Sequence, residues 1–135
     1  MTAAHYDAVR ELLTDLPVTL YEGQVPDEPG FPYALFNMDT GRGGDRRLSG
    51  RTARRTFDFM VTSVGLTPQS VRVIADQVMD RLLDVRPQVA GFRSGLIRHV
   101  TSIPVRPDTD VRDIATRLHP MFSVDTFSFR STAVF

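Results

Sequence analysis

The sequence predicts an α+β fold: a mixed, mostly antiparallel sheet of about four to five strands, two main helices packed on it, and a long basic β-hairpin loop. Three observations carry that prediction. Residues 33–39 and 55–63 are aromatic and branched runs of the kind that pack on a pleated surface. In the second run Phe57, Phe59 and Val61 alternate with Thr56, Asp58 and Thr62, so the apolar side chains share one face. Further on, Val71, Ile74, Ala75, Val78, Met79, Leu82 and Leu83 recur at helical spacing, with Arg72, Asp76, Gln77, Asp80 and Arg81 opposite them. Such a helix lies on a sheet or on another helix.

In chain order, a first helix is expected from Ala3 to Leu13 or Asp15. Val9, Leu12, Leu13 and Leu16 form its apolar side, together with His5 and Ala8. Thr2 is its expected cap and Pro17 its stop. Residues 18–21 then form a short strand. Residues 23–32 form a loop, because Pro26, Pro29 and Pro32 oppose regular pairing. After the two long strands, Thr67 caps the second helix with Pro68 at its first position, and Pro87 ends it. Phe92-Arg-Ser between Gly91 and Gly95 reads as a turn or short hairpin. Residues 96–103 form a strand broken by Pro104 and Pro107, which places its end at a sheet edge. A polar connection follows, with a helical turn at 111–115. The last strand spans 121–129. Phe122 and Val124 differ in parity from Phe127 and Phe129, which predicts a bulge near Asp125. Residues 131–135 read as a short tail, apolar at its tip.

The two long strands are joined by residues 40–54. This connection contains Gly41, Gly43, Gly44 and Gly50, and also Arg42, Arg46, Arg47, Arg51 and Arg54, with Arg55 next. Only Asp45 opposes that charge. A tight hairpin needs about two to five loop residues, and longer loops are usually functional or disordered. Two readings stand: a solvated, floppy loop, or an arm that orders only where a neighbouring subunit, another protein or nucleic acid encloses it. Arg46, Arg47 and Arg51 lie nearest its tip. A complementary acidic stretch, Glu22, Asp27 and Glu28, lies on the other side of the first long strand. A second acidic cluster, Asp108, Asp110 and Asp113, is diluted by Arg106 and Arg112.

The formal net charge is zero, although charge is unevenly distributed, and all 16 Lys+Arg positions are arginine. Cysteine is absent, which excludes disulfides and thiolate metal sites. The chain length of 135 residues suits a single domain. Neither a signal peptide nor a membrane-spanning run is read from the sequence. His5, His99 and His119 fall in different elements without metal-ligand spacing. Gly41-Arg-Gly-Gly lacks the trailing Gly-Lys-Ser/Thr of a phosphate loop, and no serine sits in a Gly-x-Ser-x-Gly elbow. No catalytic residue, metal site or cofactor is assigned, and a non-enzymatic role is expected.

The order of elements carries a resemblance. A helix, an acidic Pro-rich loop and a long basic hairpin come first. Thr62-Ser-Val-Gly-Leu-Thr-Pro68 then leads into the amphipathic helix. Gly91-Phe-Arg-Ser-Gly-Leu-Ile-Arg98 and an aromatic strand opened by His119-Pro120 follow. Across most of its length the chain resembles the tail terminator, or tail completion, proteins of long-tailed phages, particularly those of actinobacteria. The resemblance implies a virion protein, assembled in the host cytoplasm, that forms a ring, usually a hexamer, at the head-proximal end of the tail tube. It implies self-association and contact with the tail tube protein and a head completion or stopper protein. Genome DNA would pass through the lumen without sequence-specific binding, and no membrane is involved. It also implies an α+β fold and no catalytic residues. On this reading Arg42, Arg46, Arg47, Arg51, Arg54 and Arg55 are candidate interface residues, with Glu22, Asp27 and Glu28 as the acidic counterpart. Two alternatives are another head–tail connector or tail tube component, and a small basic-armed nucleic-acid-binding domain. The Arg loop has no interleaved aromatics for stacking bases, which counts against the last of these.

Overall fold

The computed structural model describes residues 2–43 and 54–134. In chain order its elements are α1 (Thr2–Leu12), β1 (Thr19–Glu22), β2 (Tyr33–Met38), β3 (Arg42–Gly43), β4 (Arg54–Gly65), α2 (Pro68–Leu82), β5 (Phe92–Ser94), β6 (Arg98–Pro107) and β7 (Met121–Ala133). The strands form one sheet in the order β1-β2-β4-β7-β5. β3 lies beyond β2 along the same side of β4, and β6 shares the outer side of β7 with β5. β1 and β2 run parallel, and the other pairs are antiparallel. The α+β architecture expected from the sequence is therefore the one observed. Short segments that complete two of its lanes raise the strand count to seven.

Both helices cover one face of this sheet. Val71, Ile74, Val78 and Leu82 of α2 are buried with Val9 and Leu13 against Phe36, Phe57, Phe59, Val61, Phe127 and Phe129. The rings of this layer stack across strands: Phe57 on Phe129 at 5.4 Å and Phe59 on Phe127 at 5.3 Å. Such aromatic cross-strand pairs stabilise a sheet beyond the area they bury. His5 of α1 joins them, stacked on Phe57 at 4.4 Å and hydrogen-bonded to Ser131 Oγ at 2.7 Å. Thr2 does not cap α1. It lies within the helix, and its hydroxyl donates to the Thr40 carbonyl.

α2 starts as the sequence predicts. Thr67 Oγ1 accepts from the Ser70 backbone N–H at 3.1 Å, and Ser70 reciprocates to form a capping box. The helix ends ahead of Pro87, at Leu82. Asp84 turns into the left-handed region (φ 60°), and its N–H donates to the Ile97 carbonyl, while Ile97 N–H donates to Val85. These bonds to the strand-side backbone end the helix, and the proline does not.

β4 and β7 pair without interruption from Arg54–Thr132 to Gly65–Met121, so β7 has no bulge at Asp125. The parity change has another cause: the strand is apolar on each face in turn. Phe127 and Phe129 face the helices, and Phe122 and Val124 face a second apolar layer supplied by the loop at 23–32. The bulges lie in β6, between His99 and Thr101 and between Ile103 and Arg106. The second spans Pro104, which has no N–H to give the ladder, so the strand passes it and continues to Pro107. Phe92-Arg-Ser is a true strand, β5. It pairs with Ser131–Ala133, so that stretch belongs to β7 and not to a tail.

Two further expectations change. The turn near 111–115 is not helical. The Asp113 carboxylate accepts from the Thr116 N–H at 3.0 Å and from its hydroxyl at 2.7 Å, a local bond that competes with the helix. The hairpin loop begins later than residue 40, because Arg42 and Gly43 pair with Thr56 and Arg55. Asp39 Oδ1 secures the step between β2 and β3 by accepting from the Gly41 and Asp58 N–H groups. Gly41 is required there: its φ is +88°, and a Cβ would stand 2.8 Å from the Phe57 ring.

Candidate functional site

The helices leave the other sheet face uncovered, and cross-strand register determines what it presents. Opposed residues of paired strands point to the same side. On this face β4 and β7 contribute their even-numbered positions. The row nearest the hairpin tip contains Arg54, Thr132 and Arg93, the next contains Arg42, Thr56 and Arg130, and the third contains Asp58, Ser128 and Arg98. Arg42, Arg54, Arg93, Arg98 and Arg130 are all exposed. A recess of about 920 Å³ opens among Arg42, Arg98 and Arg130, with Thr56 and Ser128 on its floor. Asp58 is the one carboxylate in these rows, and it pairs with Arg42 at 2.6 Å.

Toward the opposite end the same face becomes apolar. Tyr33, Val64 and Phe122 form one row, and Leu35, Thr62 and Val124 the next. Val25 and Phe31 from the 23–32 loop lean over them and leave a cavity of about 410 Å³ with Asp27 and Asp108 at its lining. Burial raises the Tyr33 hydroxyl pKa above its ordinary value, and Asp108 adds to the shift, so this tyrosine stays neutral. The face is thus basic at one end and apolar at the other, where Asp27 and Asp108 are accompanied by Arg106 over the Phe122 ring.

Fold comparison finds solved structures of similar architecture. The chain is similar to one in the virion of a native gene transfer agent (GTA) particle. The superposition has a TM-score of 0.53 at 15% identity and covers 98% of this chain and 93% of the other. A second solved structure, whose name states no function, aligns at a TM-score of 0.52 and 13% identity over 96% of each chain. At these identities the likeness is one of fold. No family model and no curated protein sequence matches the chain.

The residues singled out from the sequence separate into groups. Arg42 and Arg54 lie on the uncovered face. Arg55 points to the helix side, where its Nη1 donates to the Thr40 carbonyl at 3.3 Å. Arg46, Arg47 and Arg51 fall outside the described residues, as does the expectation that their loop is ordered only by a partner. Glu22 is engaged within the chain: its Oε1 accepts from Tyr6 at 2.7 Å and lies 3.8 Å from Arg10 Nη1. Burial and that bond push the Tyr6 hydroxyl pKa up to about 12. Asp27 and Glu28 are exposed and form no ion pair among the described residues. Sequence reasoning missed Arg93, Arg98 and Arg130. They stand far from the hairpin in sequence, and only the β4–β7 register and its neighbours bring them beside Arg42.

One polar cluster lies at the β6–β7 seam. Asp125, 6% exposed, accepts from the Ser102 hydroxyl, and His99 Nε2 lies 3.0 Å from the same carboxylate oxygen and 3.1 Å from Ser102 Oγ. A nucleophilic serine would be bonded to one imidazole nitrogen with the acid on the other. Here one nitrogen meets both partners and the serine donates directly to the acid. The cluster clamps the bulged edge strand to β7. Among the described residues no group of three or more His, Asp or Glu is placed to hold a metal.

Proposed function

We propose that this chain is a structural subunit of a phage-like virion, and specifically a tail terminator. Its copies form a ring, in the proposed form a hexamer, at the head-proximal end of the tail tube. The ring ends tube polymerisation and presents the surface that joins the head, and its partners are further copies of itself, the tube protein and a head completion protein. The observation that carries this reading is the fold likeness to a chain of the gene transfer agent virion, which extends over nearly the whole of both chains. The sequence resemblance to tail terminators, made on element order and spacing, supports the finer assignment.

A closed ring uses head-to-tail interfaces, so two different patches of one subunit must complement each other. Asp27 and Glu28 on the Pro-rich loop supply one sign, and the arginines of the hairpin supply the other. Native mass spectrometry with negative-stain imaging of the purified protein tests the reading. Rings of uniform size that cap tube ends are expected. A monomer that persists at high micromolar concentration and leaves tube ends growing would overturn it.

A further inference from the structure

We propose that the basic end of the uncovered sheet face is a binding site for the phosphodiester backbone of nucleic acid, read without regard to base sequence. The proposal rests on the register of the sheet and does not require the ring. Five arginines from five strands, Arg42, Arg54, Arg93, Arg98 and Arg130, converge on one face with a single carboxylate among them. Asp58 occupies Arg42, so Arg54, Arg93, Arg98 and Arg130 are left unneutralised by any ion pair among the described residues. They alternate with hydroxyls: Thr132 lies between Arg54 and Arg93, Thr56 between Arg42 and Arg130, and Ser128 between Asp58 and Arg98. Rows two residues apart on a strand are separated by about 6.8 Å, so the guanidinium groups form a spaced array and not a single point of charge.

The chemistry of the face selects the ligand. Protein–protein interface cores are depleted of charge and enriched in aromatic residues. The three arginine rows contain no aromatic residue, and their non-arginine positions are hydroxyls and one aspartate. Arginine and hydroxyl side chains are the usual partners of phosphate oxygens, which position nucleic acid but do not specify its sequence. The three rows themselves offer no aromatic ring on which a base could stack. Among the described residues no helix protrudes from this face to enter a major groove. The chain's net charge of zero is no obstacle, because these five arginines gather locally with one carboxylate among them.

The test uses the full chain with Arg46, Arg47 and Arg51 replaced by serine, so that those side chains contribute nothing. Fluorescence anisotropy with a mixed-sequence 30-base-pair duplex is measured from 25 to 200 mM salt, and size-exclusion chromatography of the same samples reports assembly separately. Non-specific binding is expected, with a Kd of roughly 10⁻⁴ to 10⁻⁶ M near physiological salt. The log–log salt slope should reach about −3 to −4 if the four unneutralised arginines each meet a phosphate. An AT-only duplex should bind equally well. Adding Arg98→Ser and Arg130→Ser should reduce the slope by about two and weaken binding at low salt on the order of tenfold or more. Arg72→Ser, on the exposed side of α2, should change neither. The melting curve should stay in place, since Arg98 and Arg130 are exposed. Absence of salt-dependent binding, equal loss in the Arg72 variant, or preference for a poly-aspartate peptide over DNA of matched charge would overturn the proposal. The last outcome would assign the face to an acidic protein.

Discussion

Gly65 and Ser70 meet at the entrance to α2, where β4 hands the chain to the helix. A Cβ on Gly65 would stand 2.2 Å from Ser70 Oγ and 3.2 Å from Ser70 Cβ, so the serine would have to leave its rotamer. That serine closes the capping box with Thr67, in which Thr67 Oγ1 accepts from the Ser70 N–H. Loss of an N-cap costs about 0.5–2 kcal/mol. Thr67→Ala is therefore expected to destabilise the protein by about 1 kcal/mol. Gly65→Ala should cost at least as much, and the two together less than their sum, since both act on one cap. Urea unfolding of the single and double variants checks this. Full additivity would mean that Gly65 serves something other than the cap.

At the scale of elements, α2 is the main lid on the helix-facing side of the sheet. Leu82 is fully buried among the core residues and lies in the last turn, where the chain then turns off to bond with Ile97. Leu82→Ala should cost about 2–5 kcal/mol, the range for a buried leucine that leaves a cavity. A loss below about 0.5 kcal/mol, read from denaturant midpoints, would place the residue in water. The same helix shows what the sequence makes legible. Its stripe, cap and first-turn proline are local signals, and so is the alternation of Phe57, Phe59 and Val61. Each is written within a few residues, and each appears where expected, except that Leu83 falls past the end of α2 and is exposed. Apart from the 111–115 turn, which a local Asp113–Thr116 bond reshapes, the larger failures depended on distant partners. β5 is only three residues long and is a strand because Ser131–Ala133 offers a ladder. The parity switch in β7 looks like a bulge until the 23–32 loop is seen to cover Phe122 and Val124. Pro104 reads as a stop, but an edge strand can bulge around it and continue. The basic face was illegible for the same reason: Arg93, Arg98 and Arg130 acquire a common side only through registers that no local pattern encodes.

For the whole molecule, the structure divides the acidic partner of the proposed ring in two. Glu22 closes an internal contact with Tyr6 and Arg10, tying α1 to β1, whereas Asp27 and Glu28 stand exposed on the Pro-rich loop. β6 is a poor candidate for joining subunits by adding a strand, because its two bulges and its prolines blunt the edge. For a ring held by side-chain complementarity, substitutions that neutralise charge can separate assembly from folding. Glu22→Ala removes a hydrogen bond to a half-exposed carboxylate and should lower stability by about 0.5–1.5 kcal/mol while leaving assembly intact. Asp27→Asn with Glu28→Gln should leave the melting temperature nearly unchanged, as exposed substitutions usually do. It should nevertheless shift the native mass distribution from rings toward monomers. Replacing Arg46, Arg47 and Arg51 with serine should have the same effect from the other side. Combining the acidic and basic sets should weaken assembly by less than the sum of their separate effects, because two patches that meet across one interface share a single interaction energy. If the acidic double variant assembles like the parent while Glu22→Ala disperses the rings at an unchanged melting temperature, the assignment is inverted. Glu22 would then face a neighbour, and the Pro-rich loop would be a bystander.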